Sequence, residues 1–285
     1  MNKSLEDSRS SRVQVVVRVR PQFKHESGED VAITCAPDGS KVQVILPERL
    51  AEKQRLPGAT KNGARSYEFD ACLSGNVSQE DLWDVCGLQE LVEAALDGYC
   101  VTIFAYGQTG SGKTYTMIGP HLSRQIERLK NPSQPSTSSS SSSADPNPPP
   151  PSTDAAPPFH VGLDSDDGLL SRCVYNAFEG IAARSDRHEF SVTESCLEIY
   201  NENVTDLLAN GKEKSLQVKL DARGGFQVEN LTQLACQGPL STLKQLQKAL
   251  FRRHTRAHRL NEYSSRSHCL ITFVFASRER VGGGG

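Results

Sequence analysis

Gly107-Gln108-Thr109-Gly110-Ser111-Gly112-Lys113-Thr114 is the stretch whose reading decides the fold. It fits the spacing G-x-x-x-x-G-K-[ST] of a phosphate loop. Glycines let a backbone turn so that successive N–H groups point at phosphate oxygens. Lys113 has the charge and reach for β- and γ-phosphates, and Thr114 has a hydroxyl for Mg²⁺. A helix starting there would direct the positive end of its dipole at the anion. Just upstream, Val101-Thr102-Ile103-Phe104-Ala105-Tyr106 is short, apolar and rich in β-formers, which predicts a buried parallel strand. Strand, glycine loop and helix then follow in the order the motif requires.

Working outward, the chain alternates strand-like and helix-like segments. Val13 to Arg20 reads as a strand ended by Pro21, which has no N–H for a ladder. Residues 31–47 predict a hairpin around Asp38-Gly39, and Tyr67 to Asp70 a further extended piece. Leu82, Val85, Leu88, Val92 and Leu96 fall at helical spacing over Asp81–Leu96, with Gly98 as the C-terminal cap. After the glycine loop come a helix from Gly168 to about Ala183, a strand from Phe190 to Tyr200 and a helical turn from Asn203 to Leu208. Strand-like pieces Leu216–Leu220 and Gly225–Leu234 precede an amphipathic helix, Leu240–His254, and a last strand, Cys269–Ala276. Alternation of this kind predicts an α/β fold, a central mixed sheet with helices on both faces.

Composition sets limits. The chain has 285 residues, 36% hydrophobic, and a net charge of −2. That charge gives no general argument for nucleic acid, and no nucleic-acid partner is expected. No apolar run is long enough to span a bilayer, so no membrane insertion is expected. Eight cysteines are scattered without C-x-x-C or zinc spacing, which suits a reducing compartment. Residues 1–11 read as a polar tail, 120–166 as a Ser/Pro-rich insertion starved of apolar residues, and 282–285 as a glycine end.

A second group of residues stands between the long helix and the last strand: Asn261-Glu262-Tyr263-Ser264-Ser265-Arg266-Ser267-His268. Hydroxyls, an amide and an arginine on one loop suit a sensor of a γ-phosphate and its metal, although such a loop alone could simply connect helix to strand.

Taken with Arg18-Val19-Arg20-Pro21, Tyr67-Glu68-Phe69-Asp70, Ile103 through Met117 and Leu197-Glu198-Ile199-Tyr200-Asn201-Glu202, this loop makes the sequence resemble a kinesin motor domain over residues 12–281. The resemblance implies a P-loop NTPase of kinesin type, with ATP and Mg²⁺ as cofactors and microtubules (tubulin) as partner. It implies a microtubule-dependent motor ATPase of the cytoplasm and cytoskeleton. Gly107, Gln108, Thr109, Gly110, Ser111, Gly112 and Lys113 would hold the phosphates. Thr114 and Ser265 would meet Mg²⁺, and Asn261 and Ser264 the γ-phosphate and its attacking water. Arg18, Pro21 and Tyr115 would surround the adenine, and Arg266 would pair with a glutamate of switch II. Lys212, Lys214, Lys219 and Arg223 would lie near tubulin or on an ordinary solvated hairpin. The basic run Arg252 to Arg259 would complement a helix C-terminus or meet acidic tubulin.

The family's switch II, D-x-x-G-x-E, is expected after the last strand and is not within these residues. Asp221-Ala222-Arg223-Gly224 has part of the pattern, but it precedes the serine loop and has Phe226 where the glutamate should stand. The resemblance therefore implies a motor domain incomplete at its C-terminus, with a dimer-forming coiled coil outside it. The alternative is a catalytically incompetent nucleotide-binding or microtubule-associated fragment.

Overall fold

The computed structural model describes residues 13–28, 31–45, 64–128, 163–210, 215–221, 224–259 and 267–280. These fall into two compact units that divide between Leu88 and Gln89.

In the N-terminal unit, β1 (Val16–Arg18) pairs in parallel with β5 (Ala71–Leu73). Next to them in sequence, β2 (Ile33–Cys35), β3 (Lys41–Ile45) and β4 (Ala64–Glu68) form an antiparallel three-stranded sheet. The β2–β3 turn is the expected one: Asp38 Oδ1 accepts from the backbone N–H and the hydroxyl of Ser40, closing the Asx turn that short polar residues favour. Helix α1 (Gln79–Val85) begins at a reciprocal cap, with Ser78 Oγ accepting from the Asp81 N–H and Asp81 Oδ2 accepting from the Ser78 N–H. Leu82 and Trp83 face inward with Val42, Cys72 and Leu73. The single helix expected over Asp81–Leu96 is two helices, because Gly87 takes φ 57° and breaks the ladder before α2 (Leu88–Leu96).

In the C-terminal unit, α3 (Lys113–Met117) and α4 (Gly119–Arg128) follow the glycine loop. Then come α5 (Leu169–Ala183) and the long strand β6 (His188–Tyr200). The helical turn expected at Asn203–Leu208 is instead a strand, β7 (Asn203–Asp206), antiparallel to β6. Asn201 and Glu202 both take positive φ, 47° and 63°, which makes a two-residue hairpin loop whose twist matches its flanking strands. Strands β8 (Ser215–Leu216) and β11 (Leu234–Ala235) extend this sheet, and β9 (Val218–Leu220) with β10 (Phe226–Val228) makes a separate hairpin. Between the two strands of that hairpin, Asp221 Oδ1 accepts from Gly225 N–H at 2.8 Å, while Ala222 and Arg223 lie outside the described residues.

Helix α6 (Pro239–Arg259) starts with proline in its first turn, where no N–H is needed, and Thr242 Oγ1 donates back to Gly238 O. Leu243, Leu246, Ala249 and Leu250 recur at helical spacing and are buried. They pack with Cys196, Leu207, Leu208, Leu122, Ile126 and Leu170 into the core of this unit. The last strand, β12 (Ser267–Glu279), pairs with β6 along its whole length, from Ser267 opposite Tyr200 to Glu279 opposite His188.

The expected insertion at 120–166 needs new bounds. Residues 120–128 continue α4 and put Leu122 and Ile126 into the core. At the other end, Asp164 N–H donates to Asp167 Oδ2, and the buried Arg172 donates to the carbonyls of Asp164, Ser165 and Asp167. Residues 129–162, the tail before residue 13 and the glycine end at 282–285 lie outside the described residues.

Candidate phosphate site

The loop before α3 has the backbone that the motif needs. Gly107, Gly110 and Gly112 take φ of 155°, 82° and 98°, a region that side chains disfavour. A Cβ on Gly107 would also run into Ser111 Oγ. The Ser111 N–H donates to Gln108 O at 3.2 Å, closing the turn. Lys113 reaches back across this turn. Its ammonium donates to Gly107 O at 2.7 Å and to Gln108 O at 2.9 Å. The charge is thus held over the same backbone that would carry an anion. Thr114, the next residue, and Tyr115 are exposed at the start of α3. Thr109 is exposed as well.

The upstream segment departs from expectation. Val101–Tyr106 makes no ladder with any described strand, and its side chains alternate between half-buried and exposed, with Phe104 74% and Tyr106 95% exposed. The apolar run has the composition of a buried parallel strand, but a parallel strand is buried only when neighbours pair with its edges.

Arg18 and Pro21 belong to the N-terminal unit. The Arg18 guanidinium donates to Gln79 Oε1 at 2.8 Å and to Val77 O at 3.1 Å, so its head is anchored at the start of α1. Gly75 lies so close to Pro21 that a Cβ there would come within 2.8 Å of the Pro21 Cα. Nearby, Arg20 grips Glu26 through both terminal nitrogens and stacks on Phe23, 4.2 Å from the ring centroid. Its guanidinium, with the Phe23 N–H, holds the half-buried Glu26 carboxyl at about 2.

Asn261, Ser264, Ser265 and Arg266 lie outside the described residues. Ser267, the first described residue after them, meets Arg253 of α6, which also holds Glu198 of β6. Arg253 Nε donates to Glu198 Oε1 at 3.0 Å, and Nη2 donates to Ser267 Oγ at 3.0 Å. Glu198 is 1% exposed. Arg252 donates to the carbonyls of Leu207 and Ala209. These two members of the basic run therefore serve the interior of their own unit. Lys219 pairs with Glu229 at 2.9 Å, while Lys212, Lys214 and Arg223 lie outside the described residues. Sequence reading had no signal for the Arg253–Glu198 pair beyond a glutamate inside a matching motif.

Glycine loop, lysine and following helix in an α/β chain define a P-loop nucleotide-binding protein. The kinesin motor domain profile matches residues 18–283, and the chain belongs to that family. Mouse Kinesin-like protein KIF12 is 32% identical over 264 residues, 91% of this chain and 33% of its own length. Kinesin-like protein KIN-12A of Arabidopsis thaliana is 31% identical over 94% of this chain and 17% of its own length. A solved structure titled as a fast kinesin superposes with a TM-score of 0.68 at 25% identity, covering 93% of this chain and 60% of that one. The chain thus spans a third or less of these two curated relatives. Among the described residues, no helix is long and apolar enough to cross a membrane.

Proposed function

We propose that this chain is the nucleotide-binding part of a microtubule-dependent motor ATPase acting on the cytoskeleton. The observation that carries this reading is the loop of left-handed glycines closed by Lys113, in a chain of the kinesin family. The residues fit ATP with Mg²⁺: the loop is a cradle that a Cβ would fill, and Lys113 stands across it. When bound, Mg²⁺ neutralises charge on the phosphate oxygens. Gly107 to Gly112 would cradle the phosphates and Lys113 would supply positive charge to them. Thr114 and Ser265 would offer hydroxyls to the metal. Asn261 and Ser264 would hold the terminal phosphate and orient a water, and Arg266 would pair with a carboxylate of switch II. Arg18, Pro21 and Tyr115 would line the adenine. Arg18 would do so with its stem, its head being held by Gln79. Tubulin is the proposed partner, and a dimer would form through a coiled coil outside these residues.

The second reading concerns residues 1–285 alone. Val101–Tyr106 finds no ladder partner among the described residues, so no described strand braces the segment that leads into the phosphate loop. On this reading the stretch alone holds nucleotide weakly and does not turn it over. One experiment tests both: steady-state ATP hydrolysis against microtubule concentration, for residues 1–285 and for the chain joined to a kinesin C-terminal half, each with and without Lys113→Ala. Saturable hydrolysis in the joined protein, abolished by Lys113→Ala, is expected. Undiminished hydrolysis in that variant would remove Lys113 from its role. Equal rates with and without the added half would overturn the second reading.

A further inference from the structure

Cys196 and Cys269 come from strands that lie side by side, and they point to the same face. In the β6–β12 ladder Cys196 stands opposite Ile271 and Cys269 opposite Glu198, which makes the two cysteines diagonal neighbours. Their sulfurs are 4.0 Å apart. Cys196 is fully buried, whereas Cys269 is only partly so. We propose that this pair is a redox modification site, at which a peroxide converts the two thiols into a cross-strand disulfide.

The chemistry balances with peroxide as the oxidant. The Cys269 sulfur, as thiolate, attacks one peroxide oxygen. The O–O bond breaks, leaving Cys269 as a sulfenic acid, and the departing oxygen leaves as water once protonated. The Cys196 sulfur then attacks the Cys269 sulfur, and hydroxide leaves with the proton of Cys196 as a second water. Two thiols lose two electrons and two protons, and one peroxide becomes two waters.

Three features assign these roles. Cys269 is the less buried of the two partners. Its thiol is held below the ordinary range by the hydrogen bond between the two sulfurs, in which either could donate, and by the nearby Arg253 guanidinium. By contrast, burial pushes the thiols of Cys35, Cys72, Cys86 and Cys236 up, and that of Cys173 up to about 12.

Forming the bond requires movement. The sulfurs must close by about 2 Å to reach disulfide length, and diagonal positions on a sheet lie at the far limit of disulfide spans. Cys269 is the third residue of β12, so the ladder yields near its end, at Ser267 and His268. A disulfide made under such strain is readily reduced again. Ser267 is also the residue that Arg253 grips. If the proposed function holds, oxidation therefore shifts Ser267, which follows Ser265 and Arg266 in the chain.

The test reads the linkage itself, so its failure is separate from failure of the motor reading. The reduced chain is treated with equimolar hydrogen peroxide, alkylated and digested, and its disulfide peptides are quantified by mass spectrometry. The Cys196–Cys269 peptide is expected in about tenfold excess over any other pair, and dithiothreitol should remove it. In Cys196→Ser, dimedone should trap a sulfenic acid on Cys269. In Cys269→Ser, Cys196 should remain a thiol. The wild-type result does not depend on either variant folding. Absence of the Cys196–Cys269 peptide, or oxidation spread evenly over all eight cysteines, would overturn the proposal.

Discussion

Arg253 on α6 and Glu198 on β6 are 55 residues apart in sequence and 3.0 Å apart in space. The same guanidinium holds Ser267, the first residue of β12. One side chain thus ties a helix to two strands, the second of which begins at Ser267, directly after residues 260–266. The Glu198 side chain is 1% exposed and that of Arg253 24%. A carboxylate so deeply placed needs hydrogen-bonded charge beside it.

Arg253→Ala is expected to destabilise the chain by about 2 kcal/mol. This is less than the full cost of breaking a buried pair, because the arginine head is partly wet. Arg253→Lys should recover only part of this, since an ammonium cannot serve Glu198 and Ser267 in the same fork geometry. Urea denaturation of the three proteins checks it. A midpoint for Arg253→Ala equal to that of wild type would refute the structural role given to the pair.

Glu194 makes stability depend on pH. Its side chain is fully buried, opposite Leu234 and Phe273 in the sheet, and neither carboxylate oxygen meets a hydrogen-bond donor among the described residues. Burial pushes its carboxyl from 4.5 to about 7. The folded state therefore binds the proton more tightly than the unfolded state does. Its contribution is fully present below pH 4.5 and is lost as pH rises through about 7. Glu194→Gln should flatten that dependence, gaining on the order of 2 kcal/mol relative to wild type between pH 5 and pH 8. Thermal unfolding at the two pH values decides the matter: parallel shifts in both proteins would show that Glu194 is not the titrating group.

Removing residues 129–162 and joining Arg128 to Leu163 through a flexible Gly/Ser linker should change stability by less than about 1 kcal/mol, because loop length alone costs little. Each flank is anchored independently. Ile126 is 5% exposed on the near side, and Arg172 clasps three carbonyls on the far side. Gly119 and Gly168 approach so closely that a Cβ on Gly168 would come within 2.5 Å of the Gly119 nitrogen. That contact joins the flanks without the segment between them. A loss above about 2 kcal/mol on deletion would show that residues 129–162 contribute to the core.

The sequence alone determined whatever depends on local chemistry. The phosphate loop is legible because glycines at three positive-φ positions, a lysine and a threonine must occur at fixed spacing. Periodic helices such as α5 and α6 are legible for a similar reason: their apolar stripes recur within a turn or two. The tertiary structure decided the rest. Asn203–Asp206 is too short to show its period and became a strand because β6 lies alongside it. Leu122 and Ile126 were lost among polar neighbours, and only the core they enter marks them as helical. Val101–Tyr106 has the residues of a buried strand, yet ladder bonds come from other segments and propensity cannot supply them. The Arg253–Glu198 pair, the closeness of Cys196 and Cys269, and the isolation of Glu194 join residues far apart in sequence. Contacts of this kind leave no spacing to read, because strand register and helix docking bring the groups together only once the chain has folded.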